Sequence, residues 1–225
     1  MTSRRLRASA RRAGRLGALV VVVVMLIPAP ARAETLQFKL LTNYSQASFR
    51  SDAPLETFVG TSALDGLQGT LSLDPEKPAA AAGVVKVDMN RVSTGLEKRD
   101  ADMRGKSYLD TEVEANRWVT FEVTRAELAE PLQPGRETPS RIYGVLTIKN
   151  RPVDTIADGT VTYIKLSPEQ VEQQKRFGFT SDNLKVKAKL RSTFTDHGMS
   201  IPQLLFLKVA NDIQMAADLV FVRQP

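Results

Sequence analysis

Strict two-residue alternation is the feature that most limits how this chain can fold. Over residues 184–195, Leu184, Val186, Ala188, Leu190, Ser192 and Phe194 interleave with Lys185, Lys187, Lys189, Arg191, Thr193 and Thr195. Side chains of an extended backbone alternate between its two faces, so this segment has one dry face and one wet face. The pattern recurs in Leu36, Phe38 and Leu40, in Ala47 and Phe49, in Leu71 and Leu73, and in Val85, Val87 and Met89. It returns in Val119, Phe121 and Val123, in Ile142, Gly144, Leu146 and Ile148, and in Ile213, Met215, Ala217, Leu219 and Phe221. Turn signals separate the runs: Asp74-Pro75 to Gly83, Pro131 to Pro139, Arg151-Pro152 and Asp158-Gly159. Most of these connections are too short for parallel crossovers. About eight antiparallel strands with single apolar faces either close into a barrel or pair as two sheets.

Two segments break the period. After Ser93-Thr94-Gly95, the helix formers Glu97, Lys98 and Arg99, with Leu96 and Met103, predict a short helix ended near Gly105. Ser167-Pro168-Glu169 reads as a capped start with proline in the first turn, opening a polar helix or lid that runs to about Arg176.

The first 33 residues read as a cleaved secretory signal rather than as part of the fold. Arg4, Arg5, Arg7, Arg11, Arg12 and Arg15 form a basic head, residues 16–27 are apolar, and Ala31-Arg32-Ala33 offers a cleavage site before Glu34. The apolar stretch falls short of the roughly 20 residues a spanning helix needs. Residues 34–225 then form one domain. The leader holds seven arginines and no acid, so the net charge of +6 becomes about −1 once 24 of the 31 basic groups face 25 acids. Nucleic acid is therefore not an expected partner. With no cysteine, disulfides, thiol chemistry and a lipid-anchoring Cys are excluded, and the expected product is soluble and periplasmic.

Ser93-Thr94, Arg99-Asp100, Tyr108-Leu109-Asp110 and Thr120-Phe121 occur in an order and spacing that resemble the YceI-like family of secreted lipid-binding barrels. Ser45 with Phe49, Val59-Gly60, and the run Gly144-Val145-Leu146-Thr147-Ile148 before Pro152-Val153 extend the resemblance. Departures stand at Asp102, where the family usually has His or a similar residue, at Arg117, where it has Pro, and at His197-Gly198, where it has an aromatic residue before Gly. The resemblance decides for an antiparallel eight-stranded lipocalin-like β-barrel, all-β with one or two short helices. It implies an isoprenoid lipid ligand of quinone or polyprenyl type, sequestered or carried without a cofactor, by a monomer or homodimer that meets a membrane transiently.

The inward faces supply the candidate lining: Phe49, Val85, Val87, Met89, Met103, Tyr108, Leu109, Val119, Phe121, Leu146, Ile148 and Phe194. Each also suits ordinary core packing. Met89 and Met103 adapt to a flexible ligand, and Tyr108 offers a hydroxyl. Arg99-Asp100 reads as a structural ion pair that steadies its helix, or else as a headgroup site. Trp118 falls on the polar face of its strand, as a partner contact or a plug at the rim. Catalysis has little support, and no enzyme activity is expected. His197 is the only histidine and reads as a turn residue, which excludes two-histidine metal sites. Gly60-Thr61-Ser62-Ala63-Leu64 lacks the second glycine of a nucleophile elbow. The alternative function is a filled barrel in the cell envelope that acts through surface contacts around Trp118 and the apolar loop 200–207.

Overall fold

The computed structural model describes residues 35–204 and 207–224. The expected leader, and Leu205 and Phe206 of the apolar loop, lie outside these residues. In chain order the strands are β1 (Leu36–Leu40), β2 (Gln46–Ala53), β3 (Glu56–Ser62), β4 (Leu67–Leu73), β5 (Ala82–Asp88) and β6 (Val92–Ser93). Helices α1 (Glu97–Arg104) and α2 (Glu114–Arg117) precede β7 (Trp118–Leu128), β8 (Glu137–Ile148) and β9 (Arg151–Lys165). Helix α3 (Pro168–Gln174), β10 (Asp182–Thr193), the short hairpin of β11 (Gln203–Leu204) and β12 (Leu207–Lys208), and β13 (Asp212–Arg223) complete the order.

The sheet is antiparallel in the order β1-β4-β5-β7-β8-β9-β10-β13, and β13 pairs back with β1, so eight strands close into a barrel. Three further strands, β2, β3 and β6, prolong β1, β4 and β5 beyond local kinks. The pairs Leu36 with Leu73 and Ser48 with Thr61 belong to one antiparallel register, as do Leu67 with Val87 and Thr61 with Ser93. Two of the kinks have a side-chain cause. At the first, the Ser45 hydroxyl donates to the Leu41 carbonyl (2.9 Å) and accepts from the Val220 N–H (3.0 Å). At the third, Asp88 caps a 3-10 turn by accepting from the Asn90 N–H (2.9 Å).

Alternation places the expected faces inward, with four departures from the sequence reading. Asp158 and Gly159 lie inside β9 rather than in a turn: a Cβ on Gly159 would stand 1.9 Å from the Lys187 carbonyl, so the glycine serves a close backbone approach. The neighbouring hairpin turns at Lys149 and Asn150, both with positive φ (49° and 54°), as a tight two-residue turn requires. Pro139 lies within β8, opposite Thr160. A bulge between Val123 and Arg125 shifts the inward phase of β7, so Ala126 is buried there while Arg125 and Glu127 are exposed.

The barrel is packed at one end. Leu36, Phe38, Leu40, Leu67, Leu73, Leu184 and Phe221 fill it. There the Tyr163 hydroxyl donates to Asp182, which also pairs with Arg223 at 3.2 Å. Burial first, then that hydrogen bond, push the Tyr163 pKa up to about 12. Helix α3, with a capping box between Ser167 and Gln170, joins β9 to β10 at this packed end. It therefore does not serve as a lid.

Candidate functional site

Beyond the kinks the barrel is hollow, with a cavity of about 530 Å³. Strand β2 supplies Phe49, β5 supplies Val85 and Val87, and the turn after it supplies Met89. Helix α1 contributes Met103 and the loop that follows it Tyr108 and Leu109. Val119 and Phe121 come from β7, Leu146 and Ile148 from β8, and Phe194 from the turn after β10. All twelve candidates read from the sequence thus line one space. A filled barrel describes only the other half of the molecule.

The sequence reading missed Phe58, Val92, Met199 and Val209, which also line the cavity. Leu190, Ile213 and Met215 were legible as dry-face residues, but alternation does not say at which height in a barrel a residue stands. One wall depends on a glycine. A Cβ on Gly60 would meet the Phe49 ring at 2.1 Å, so the bare strand makes room for that ring.

The wall between β6 and β7 is built from α1 and its following loop. Helix α1 is polar almost throughout, so specific bonds rather than an apolar stripe hold it in place. Asp100 is buried and accepts from Ser93 Oγ (2.7 Å), the Thr94 N–H (2.7 Å) and Thr94 Oγ1 (2.6 Å). Burial raises its pKa, but the hydrogen bonds from Thr94 and Ser93 outweigh it and hold the carboxyl below its ordinary 3.8. Arg104 donates to the Val92 carbonyl (2.9 Å), and the Leu109 N–H donates to the Met103 carbonyl (3.1 Å). Arg99 and Asp100 are therefore not an ion pair with each other: the helix turn points one to the mouth and the other to the β6 turn. Arg99 pairs instead with Glu56 at 2.5 Å, its guanidinium 5.2 Å from the centre of the Phe58 ring. Lys98 pairs with Asp102 at 3.3 Å.

Of the apolar loop 200–207, Pro202 and Gln203 reach the cavity, whereas His197, Arg117 and Trp118 lie outside it. His197 is more than a turn residue. It is fully buried, with Nε2 2.7 Å from Ser192 Oγ and Nδ1 3.0 Å from the Arg151 carbonyl, so Nδ1–H donates and Nε2 accepts. Burial lowers its pKa below 6.5. Arg117 grips the buried Asp88 at 2.6 Å and lies over the Trp118 ring (5.3 Å to its centre). Trp118 is half-buried beside Glu114 and does not plug the mouth. Among the described residues no three potential metal ligands cluster.

The family model of the YceI-like domain matches residues 38–221. The chain belongs to the YceI-like family. Its barrel is similar to that of BcnA from Burkholderia cenocepacia, with 17% identity and a TM-score of 0.59, covering 80% of this chain and 97% of the other. A polyisoprenoid binding domain from Saccharophagus degradans, implicated in plant cell wall breakdown, matches at 13% identity and a TM-score of 0.61, over 84% of this chain and 99% of that one. The YceI protein of Campylobacter jejuni matches at 14% identity and a TM-score of 0.55, over 74% and 84%. No curated protein matches the sequence. At such identities the likeness to solved structures shows the fold, and the YceI-like assignment agrees with the residues from Ser45 to Val153 that first suggested it.

Proposed function

We propose that this YceI-like protein binds an isoprenoid lipid of quinone or polyprenyl type in its cavity and sequesters or carries it, as a secreted periplasmic protein. The observation that carries the reading is the cavity itself, an apolar space of about 530 Å³, within the usual range of roughly 300–1,000 Å³ for a site that buries one ligand. Its walls are Phe, Val, Leu, Ile and Met side chains, so a long apolar tail gains about 0.8 kcal/mol per buried methylene before association costs. Met89, Met103, Met199 and Met215 suit a guest of variable shape. The polyisoprenoid-binding relative supports the ligand class, and the basic, apolar and A-x-A segments of residues 1–33 support export. Binding is non-covalent, by shape and apolar burial.

The test is extraction of the purified protein followed by mass spectrometry. The expected result is an isoprenoid in near-stoichiometric amount. If none accompanies the protein and none binds when quinones and polyprenyl lipids are added back, the reading fails and surface contacts become the subject.

A further inference from the structure

Ser48, Thr94, Tyr108 and Gln203 are the uncharged polar residues of the lining; its charged residues are Glu56, Glu97, Lys98, Arg99 and Asp102, at the mouth. Three acids face two bases there, a formal charge of −1. Both bases are already engaged, Arg99 by Glu56 at 2.5 Å and Lys98 by Asp102 at 3.3 Å. Arg99 is the better covered of its pair, its side chain 25% exposed against 39% for Glu56. Its guanidinium lies over Phe58, whose ring lines the cavity, so this pair stands where the apolar wall ends and water begins.

We propose that the mouth selects isoprenoids whose head is uncharged and bears oxygen, and that Glu56 is the residue that turns phosphorylated ones away. The proposal rests on the isoprenoid reading above. A phosphate head carries roughly −1.5 to −2 charges near neutral pH. A phosphate that takes the remaining N–H groups of Arg99 must sit against the Glu56 carboxylate, like charge beside like charge, on a rim that also bears Glu97 and Asp102. A carbonyl or hydroxyl oxygen meets no such obstacle. Guanidinium has five N–H donors, so a neutral acceptor takes one while the bond to Glu56 stays in place. The selection works by penalising the wrong head more than by attracting the right one.

Geranylgeraniol and geranylgeranyl phosphate share one tail and differ only in the head, so their affinities for the purified protein test the proposal by calorimetric titration. The alcohol should bind at least about tenfold more tightly, and Glu56→Gln should cut that ratio severalfold by strengthening the phosphate. On the unaltered protein, raising the salt from about 50 to 500 mM should also narrow the ratio, because screening weakens the rim's repulsion. Equal affinities for the two lipids, or a ratio that moves with neither Glu56→Gln nor salt, would overturn the selectivity alone. Binding of neither lipid would overturn the isoprenoid reading on which it rests.

Discussion

Gly159 and His197 are single residues whose roles come from what lies against them rather than from their neighbours in sequence. Alanine at 159 would put a methyl group into the Lys187 carbonyl, so Gly159→Ala should cost about 2–4 kcal/mol in urea unfolding. A loss under about 0.5 kcal/mol would mean that β9 and β10 do not approach so closely. His197 is held neutral, since burial drives its folded pKa below the ordinary 6.5 and outweighs the Arg151 carbonyl and Asp196. The unfolded chain therefore takes up the proton first. This contribution to stability is whole above about pH 6.5 and is lost as the pH falls from there through the folded value. Urea midpoints at pH 7.5 and 5.5 should fall for the native chain, and the drop should shrink in His197→Gln. A drop of the same size in the variant would assign it to other groups. Neither residue's role was legible in the sequence, because a glycine after aspartate reads as a turn and a lone histidine has no partners until the chain folds.

Among the elements, α1 and α3 are both short and polar, yet they matter differently. Helix α3 closes the packed end and is capped at Ser167, so Ser167→Ala should cost about 1 kcal/mol and leave lipid retention intact. Helix α1 is part of the cavity wall and hangs on Asp100. Asp100→Ala strands the Thr94 N–H and two hydroxyls, so it should cost about 2–4 kcal/mol and loosen lipid retention as well. Comparable losses for the two variants, or full retention in Asp100→Ala, would mean that α1 is not a structural wall. The sequence located both helices, since capping residues and helix formers are local signals. It did not separate their duties, because the end of a barrel on which a helix sits depends on strand pairing. The Arg99 and Asp100 side chains show the same limit: neighbours in sequence, they face the cavity mouth and the β6 turn respectively.

At the scale of the molecule, a barrel packed at one end and hollow at the other should gain stability from whatever fills it. A lipid present at about 100 times its Kd adds roughly 2.7 kcal/mol, so lipid-loaded protein should melt about 5–10 °C above delipidated protein. Phe121→Asp places a charge in the lining and should abolish that shift. A shift that survives in the variant would place the lipid elsewhere. Sequence alone determined the antiparallel strands, their inward faces and helices α1 and α3, because period-two alternation, caps and helix formers are written within a few residues of one another. Tertiary structure decided which half of the barrel stays open and which charges guard it. The cavity exists because β1, β4 and β5 kink and continue as β2, β3 and β6, while Phe38, Leu184 and Phe221 fill the other end. The rim exists because α1 brings Arg99 to Glu56, 43 residues away in the chain. Such pairings depend on closure of the whole sheet, and no local pattern encodes them.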